Sequence, residues 1–284
     1  MIEIKNKHTG SLLATIDGET LAGADLRDMH LAEANLRGMD LNRALLDNAD
    51  LFEADLREAN LSHAILWSAH LVQADLSNAN LRSARLSNGT QAGAAILTRS
   101  TLWGADLSGA DMRKVDLREA NLAHANLKRA DLRKAVMQSA NLSHASLRNA
   151  LLIDANLREA DLSHADLVDA HLNEANLIRA NLSGADLGSG DEGHFAVLNR
   201  ANLESADLSG AKMRHIISVE ANLRNANLTG ADLTHAIISG TILRSANVRD
   251  ANFEGVELAT VTMDFANFSE ARNADIPTYK THLR

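Results

Sequence analysis

Ala49-Asp50-Leu51-Phe52-Glu53-Ala54-Asp55-Leu56-Arg57-Glu58-Ala59-Asn60-Leu61 repeats one five-residue unit, Ala-(Asp/Asn)-Leu-x-x, without a break. The unit also stands at Ala24-Asp25-Leu26 and Ala34-Asn35-Leu36, and about two dozen copies match the triplet strictly. The large apolar residue falls on positions ending in 1 or 6 from Leu21 to Leu86. It shifts to 2 or 7 from Leu97 to Leu187, then to 3 or 8 from Leu198 to Phe268. The chain is one array with two short interruptions.

An α-helix does not suit this period. A leucine every fifth residue advances about 500° around the axis, so no apolar stripe forms. A straight strand fails as well, because five is odd and each leucine would flip to the opposite face. The pattern works when Ala and Leu, two apart, point inward from a short extended segment and the x-x pair turns a corner. Repeated corners close the chain into a coil around a column of Leu and Ala. A narrow interior has little room for rings, which explains why only 3% of the residues are aromatic although 45% are hydrophobic.

Composition excludes several classes. The 284 residues include one proline and no cysteine, so there is no disulfide framework and no thiolate metal site. Disorder does not fit a chain this rich in Leu and Ala and only 23% charged. No stretch approaches the ~18 apolar residues of a membrane helix. Met1–Ile16 lacks the apolar run of a signal peptide, so a cytoplasmic location and no membrane partner are expected. A net charge of −9 disfavours direct nucleic-acid binding.

The Ala-(Asp/Asn)-Leu-x-x tandem resembles the pentapeptide-repeat family over residues 21–268. The resemblance implies an all-β fold, a right-handed quadrilateral parallel β-helix with four pentads, or twenty residues, per coil. About fifty pentads then make about twelve coils, and at ~4.8 Å per strand the rod is roughly 60 Å long. Some members of the family protect DNA gyrase as acidic mimics of duplex DNA and dimerise through their C-termini. This chain departs from them: its core position is Leu rather than Phe, it has no Cys, and Arg113, Lys114, Lys128, Arg129, Arg133 and Lys134 form a basic band.

The ends and interruptions complete the domain reading. Residues 1–20, with Ile2–Asn6 and Ser11–Ile16 around Lys7-His8-Thr9-Gly10, are expected to form a hairpin that caps the first coil. Residues 269–284 form a C-terminal cap or a dimerisation tail. The interruptions near 87–96 and 188–197 each set consecutive leucines eleven positions apart. The simpler reading is a one-residue bulge absorbed by the coil. The alternative is a glycine-rich six-residue loop that projects for recognition.

Candidate chemistry is sparse. Gly188-Ser189-Gly190-Asp191-Glu192-Gly193 matches the dinucleotide glycine spacing, but pentads resume at Ala201-Asn202-Leu203 where a helix is required. His124, His144 and His164, twenty apart, are expected to stack in a column, the weak candidate for a metal site. His63 joins them if one extra residue is counted at the first interruption. His215 and His235 make a second short column. The outward Asp/Asn position is apolar at Leu45 and Ile65 beside Trp67, and at Ile217 and Ile237 beside Val219, which makes these the interaction candidates. Phe253, Phe265, Phe268 and Tyr279 gather aromatics at the C-terminus and are the candidates for a homodimer contact.

These features converge on a non-enzymatic solenoid without a cofactor, a structural or protein–protein interaction scaffold whose partner the residues do not name. The alternative is a DNA mimic that binds gyrase or topoisomerase. Far-UV circular dichroism should give a β-type spectrum; a helix content above about a third would overturn the coil.

Overall fold

The computed structural model describes residues 1–188 and 193–280. They form two compact units, Met1–Ala145 and Ser146–Arg284. In each, residues twenty apart pair in parallel across neighbouring coils, as in Asp55↔Asp75 and Asn60↔Asn80 in the first unit and Asn202↔Asn222 in the second. Four pentads therefore complete one turn, and the coil is four-sided. Its hand follows the right-handed rule for parallel crossovers. Each side is too short for more than one residue to pair, so most of the chain reads as isolated bridges.

The hydrogen bonds of one pentad explain the repeat. Leu51 N–H donates to His70 O at 2.8 Å and Glu53 N–H to Val72 O at 3.0 Å, both one coil ahead. Asp50 N–H donates back to Met29 O at 2.9 Å, and Ala54 N–H closes the corner on Leu51 O at 3.0 Å. The fifth donor, Phe52 N–H, finds the Asp50 side chain at 3.1 Å. Glu53 has φ 54°, the left-handed third residue of a type II turn. Most corners repeat this geometry with a non-glycine residue, at a cost that the stacking of coils offsets.

The core is the expected column. Ala49, Leu51, Ala54 and Leu56 are all buried at 0% exposure, and so are most of their counterparts in both units. At the N-terminus, β1 (Ile2–Lys5) pairs antiparallel with β2 (Leu12–Ile16). Asn35 N–H donates to Lys5 O and Lys7 N–H to Glu33 O, each at 2.8 Å, and Ile4 is buried. The hairpin thereby occupies the strand edge of the first coil. In the second unit β3 (Asp186–Gly188) runs parallel to β4 (Lys212–Met213).

The interruptions are not one-residue bulges. Across the first, His70↔Ile96, Asp75↔Thr101 and Arg85↔Asp111 pair at a separation of twenty-six residues. Across the second, His171↔Val197 and Asn176↔Asn202 do the same. Each interruption therefore adds six residues to the twenty-residue register. Residues 87–95 form a built loop: Ala95 N–H closes its base on Leu86 O at 2.8 Å. Gly89 N–H bonds Ser87 Oγ at 3.0 Å, Thr90 N–H bonds Asn88 Oδ1 at 2.9 Å, and Ser68 Oγ holds Ala92 O at 2.7 Å. The base of the second closes through Ala196 N–H to Leu187 O at 2.7 Å. Residues 189–192, and with them the middle of the glycine spacing, lie outside the described residues.

The narrow core makes two opposite substitutions informative in the first unit. Leu132→Ala should cost about 2–5 kcal/mol, as a buried truncation does. Ala130→Leu should also destabilise, because overpacking pushes stacked coils apart; both sites are fully buried. Urea denaturation of the two variants checks this, and a wild-type midpoint for Ala130→Leu would place Ala130 outside the core.

Candidate interaction surfaces

The outward position of each pentad is where the coil meets solvent, and Asp or Asn there does two jobs. Its Oδ1 accepts the N–H two residues on, as at Arg57 N–H to Asp55 (3.2 Å) and Ser62 N–H to Asn60 (3.3 Å). An Asn also donates to the preceding coil. Asn60 Nδ2 reaches Asp40 Oδ1 at 2.8 Å, and Asn80 Nδ2 reaches Asn60 Oδ1 at 3.1 Å. In the second unit Asn181 bonds Asp161 (3.0 Å) and Asn227 bonds Asp207 (2.9 Å). Asp can only accept, so it can begin such a ladder but not extend it.

Two Asp in successive coils repel, and in the pairs Asp55–Asp75 and Asp111–Asp131 an arginine two residues on lies between them. Arg57 Nη2 lies 2.6 Å from Asp55 and its Nε 3.7 Å from Asp75. Arg113 spans Asp111 at 2.7 Å and Asp131 at 3.7 Å, while Arg133 holds Asp131 at 2.6 Å. The Arg57 hydrogen bond, opposed by burial, sets the Asp55 carboxyl below its ordinary range. Burial alone would raise Asp131, but hydrogen bonds from Arg133 and the Arg113 charge outweigh it and the net shift is down.

Apolar outward residues break this pattern where expected. Leu45 and Ile65 are paired in register and half-buried, and the Arg85 guanidinium lies 4.5 Å over the Trp67 ring. Ile217 and Ile237 are likewise paired, with Ile237 50% exposed. With Ile at position 217, the Val219 N–H turns to Asn199 Oδ1 at 2.9 Å. Val197, which the sequence reading missed, extends this column through Val197↔Ile217. It becomes visible only once six residues, not one, are removed from the register.

The histidines stack within each unit. The His124 and His144 rings stack at 5.0 Å and 2°, with Trp103 edge-on to His124 at 5.8 Å. Parallel rings set their nitrogens side by side rather than aiming them at one point. Among the described residues no group of three or more His, Asp or Glu could hold a metal ion. His164 belongs to the second unit, where its ring overhangs Gly184, whose added Cβ would lie 2.6 Å from Nδ1. His215 and His235 stack at 5.3 Å, and His235 overhangs Gly255 in the same way. His63 is not in the His124 column. The six-residue insertion puts it in register with Ser83 and Gly109 instead.

The C-terminal aromatics divide. Phe253 is fully buried, with its ring 5.6 Å from Phe268, so it is core rather than contact surface. Phe265 is 65% exposed, with the Arg244 guanidinium 5.9 Å from its ring centre. The tail folds back on part of the last coil: Lys280 Nζ donates to Leu258 O (3.0 Å) and Val261 O (2.6 Å). Tyr279 Oη donates to Ala259 O at 3.1 Å although the ring stays exposed. Burial against the last coil lowers the Lys280 pKa. The side bearing Phe265, Ala266 and Phe268 keeps an open cleft of about 380 Å³. Among the described residues no helix is long and apolar enough to cross a membrane.

A family model, Pentapeptide repeats, matches residues 20–57, 54–90, 95–133, 116–154, 155–189, 194–217 and 219–244. Among solved structures, this chain is similar to HetL, a pentapeptide repeat protein involved in heterocyst differentiation regulation in the cyanobacterium Nostoc sp. strain PCC 7120. The two are 31% identical over 77% of this chain and 87% of that one, with a TM-score of 0.33. It is also similar to trypsin-treated QnrB1, a plasmid-mediated fluoroquinolone resistance protein, at 18% identity over 72% and 86% and a TM-score of 0.43. A pentapeptide repeat protein of the cyanobacterium Cyanothece 51142 is 29% identical over 38% and 63%, with a TM-score of 0.25. No curated protein matches this chain.

The Asp55–Arg57–Asp75 cluster generates a pH prediction. A depressed folded pKa stabilises the fold above the unfolded value, near ~4, and the gain is lost as pH falls through the folded value. Arg57→Ala should therefore lower the urea midpoint at neutral pH, and the gap to wild type should narrow as pH falls towards ~3 and the Asp55 carboxyl begins to protonate. An equal gap at both pH values would mean that Arg57 acts through packing and not through charge.

Proposed function

Because the chain belongs to the pentapeptide-repeat family, we propose that it is a non-enzymatic scaffold whose coil presents surfaces to protein partners in the cytoplasm. The observation that carries this reading is the in-register replacement of Asp/Asn by Val197, Ile217 and Ile237 on one face. An outward Ile gives up the side-chain acceptor that closes its pentad, so a run of them is costly to the coil and gains only where something covers it. A DNA mimic that binds gyrase or topoisomerase is the second reading, favoured by the net charge of −9. Arginines seated on successive Asp rungs, as at Arg57 and Arg113, weigh against a continuous acidic track.

Affinity capture with wild-type protein, set beside a folded Ile217→Asp/Ile237→Asp variant, tests the scaffold. A partner retained by the first and lost by the second supports it. A DNA supercoiling assay with gyrase tests the mimic.

The reading includes a homodimer through the C-terminal end. The exposed Phe265 and the cleft beside Phe268 lie on the part of the last coil that the tail leaves open. A two-fold contact there would cover both open edges at once. Light scattering at tens of micromolar should give a dimer for the wild type and a monomer for Phe265→Glu. A monomeric wild type would overturn the dimer.

A further inference from the structure

The first unit carries a second departure from the repeat whose chemistry is more specific. Leu45, Ile65 and Arg85 follow one another in register, and Arg85 pairs next with Asp111. Trp67 follows an outward Ile, so no Asp or Asn side chain precedes it to accept its N–H. Among the described residues that amide has no acceptor, and the indole Nε1 is buried without one. Unsatisfied donors of this kind call for an explanation.

Charge supplies it. On this acidic chain Arg85, Lys114, Lys128 and Arg129 make no salt bridge among the described residues, whereas Arg113 and Arg133 are committed to Asp111 and Asp131. Lys114 lines a cleft of about 260 Å³ between the loop and the coil, together with Ser68, Ala92, Ile96 and Asp116. Asp116 is held by Arg118 at 2.5 Å and not by Lys114. Ser68, on the same wall, is the residue next to Trp67. Asp47 is the acid on the other side of Trp67. Burial is the largest influence on its carboxyl and raises the pKa, while Arg27 and Arg85 oppose this.

We propose that this face docks an acidic protein segment with apolar side chains. Its apolar groups cover Leu45, Ile65 and Trp67, and a carboxylate enters the cleft beneath the loop 87–95 to meet Lys114. Long polyanions such as nucleic acid suit the face less. The chain as a whole repels them, and phosphates have no use for the Leu45–Ile65 pair. A short acidic segment experiences the local cations within a Debye length and little of the remaining charge. The proposal rests on the scaffold reading and names one partner chemistry for it.

The probe is a fluorescein-labelled peptide of about twelve residues in which Glu or Asp alternates with Leu or Phe, titrated with the full chain by fluorescence anisotropy. Binding should weaken as salt rises. Lys114→Glu and Ile65→Asp should each weaken it about tenfold or more, with Ile237→Asp unchanged and circular dichroism unchanged in all three. A Lys-for-Glu peptide should not bind. Unaltered affinity in Lys114→Glu, or no binding at all, would overturn this site. So would a DNA duplex that displaces the peptide at equal charge, which would reassign the face to nucleic acid. These outcomes leave the scaffold reading to be judged separately, by partner capture through Ile217 and Ile237.

Discussion

Five backbone N–H groups recur in every pentad, and the coil itself can satisfy only four. Three bond across to neighbouring coils and one closes the corner, as at Leu51, Glu53, Asp50 and Ala54. The fifth, on the residue after the leucine, points where no carbonyl lies. The Asp or Asn side chain two residues earlier supplies the acceptor. A short side chain with an oxygen at that reach is required, because Glu or Gln is a methylene too long and Ser offers a weaker acceptor. The dominant residue at the outward position thus follows from one hydrogen bond, and the inward Ala and Leu follow from the space the corners leave.

The same requirement shapes the charge of the surface. Asp and Asn serve the fifth N–H equally, but only Asn can also donate to the coil before it. Successive Asn make a ladder, and successive Asp make a repulsive pair one strand spacing apart. At Asp111–Asp131 an Arg after the leucine spans both carboxylates, and at Asp166–Asp186 Arg148 and Lys212 from the neighbouring coils each hold one. An acidic sequence thereby acquires a surface of alternating sign. Net charge counts residues; the surface potential depends on which column each residue occupies.

Much of this was legible in the sequence, since a five-residue period has few geometries that bury its leucine on every repeat. The hairpin, the inward Ala and Leu, and the apolar pairs Leu45–Ile65 and Ile217–Ile237 needed no coordinates. The interruptions were less legible for a definite reason. A leucine spacing of eleven is equally two pentads and a bulge or one pentad and a loop, and only the pairing of His70 with Ile96 separates them. That ambiguity propagated: it moved His63 into the wrong column and concealed Val197. The C-terminal aromatics failed differently. Spacing places Phe253 and Phe268 inward alike, but it does not say which coil is last, and burial at an end depends on what lies beyond it. Lys280 and Tyr279, which cover part of that end, belong to no repeat and carried no periodic signal.

A regular coil makes its departures carry the information. Every column is specified by the same few bonds, so a residue that satisfies them says little about binding. A residue that breaks them must be compensated within the coil or from outside. Val219 shows compensation from within, through the borrowed Asn199 oxygen. Gly184 and Gly255 show it sterically, giving up a side chain so that a histidine ring can lie across the corner. Trp67 shows neither: its amide and its buried indole N–H have no acceptor among the described residues, and Arg85 and Lys114 beside it make no salt bridge there. An uncompensated buried donor beside cations that make no salt bridge is where a second molecule has most to contribute.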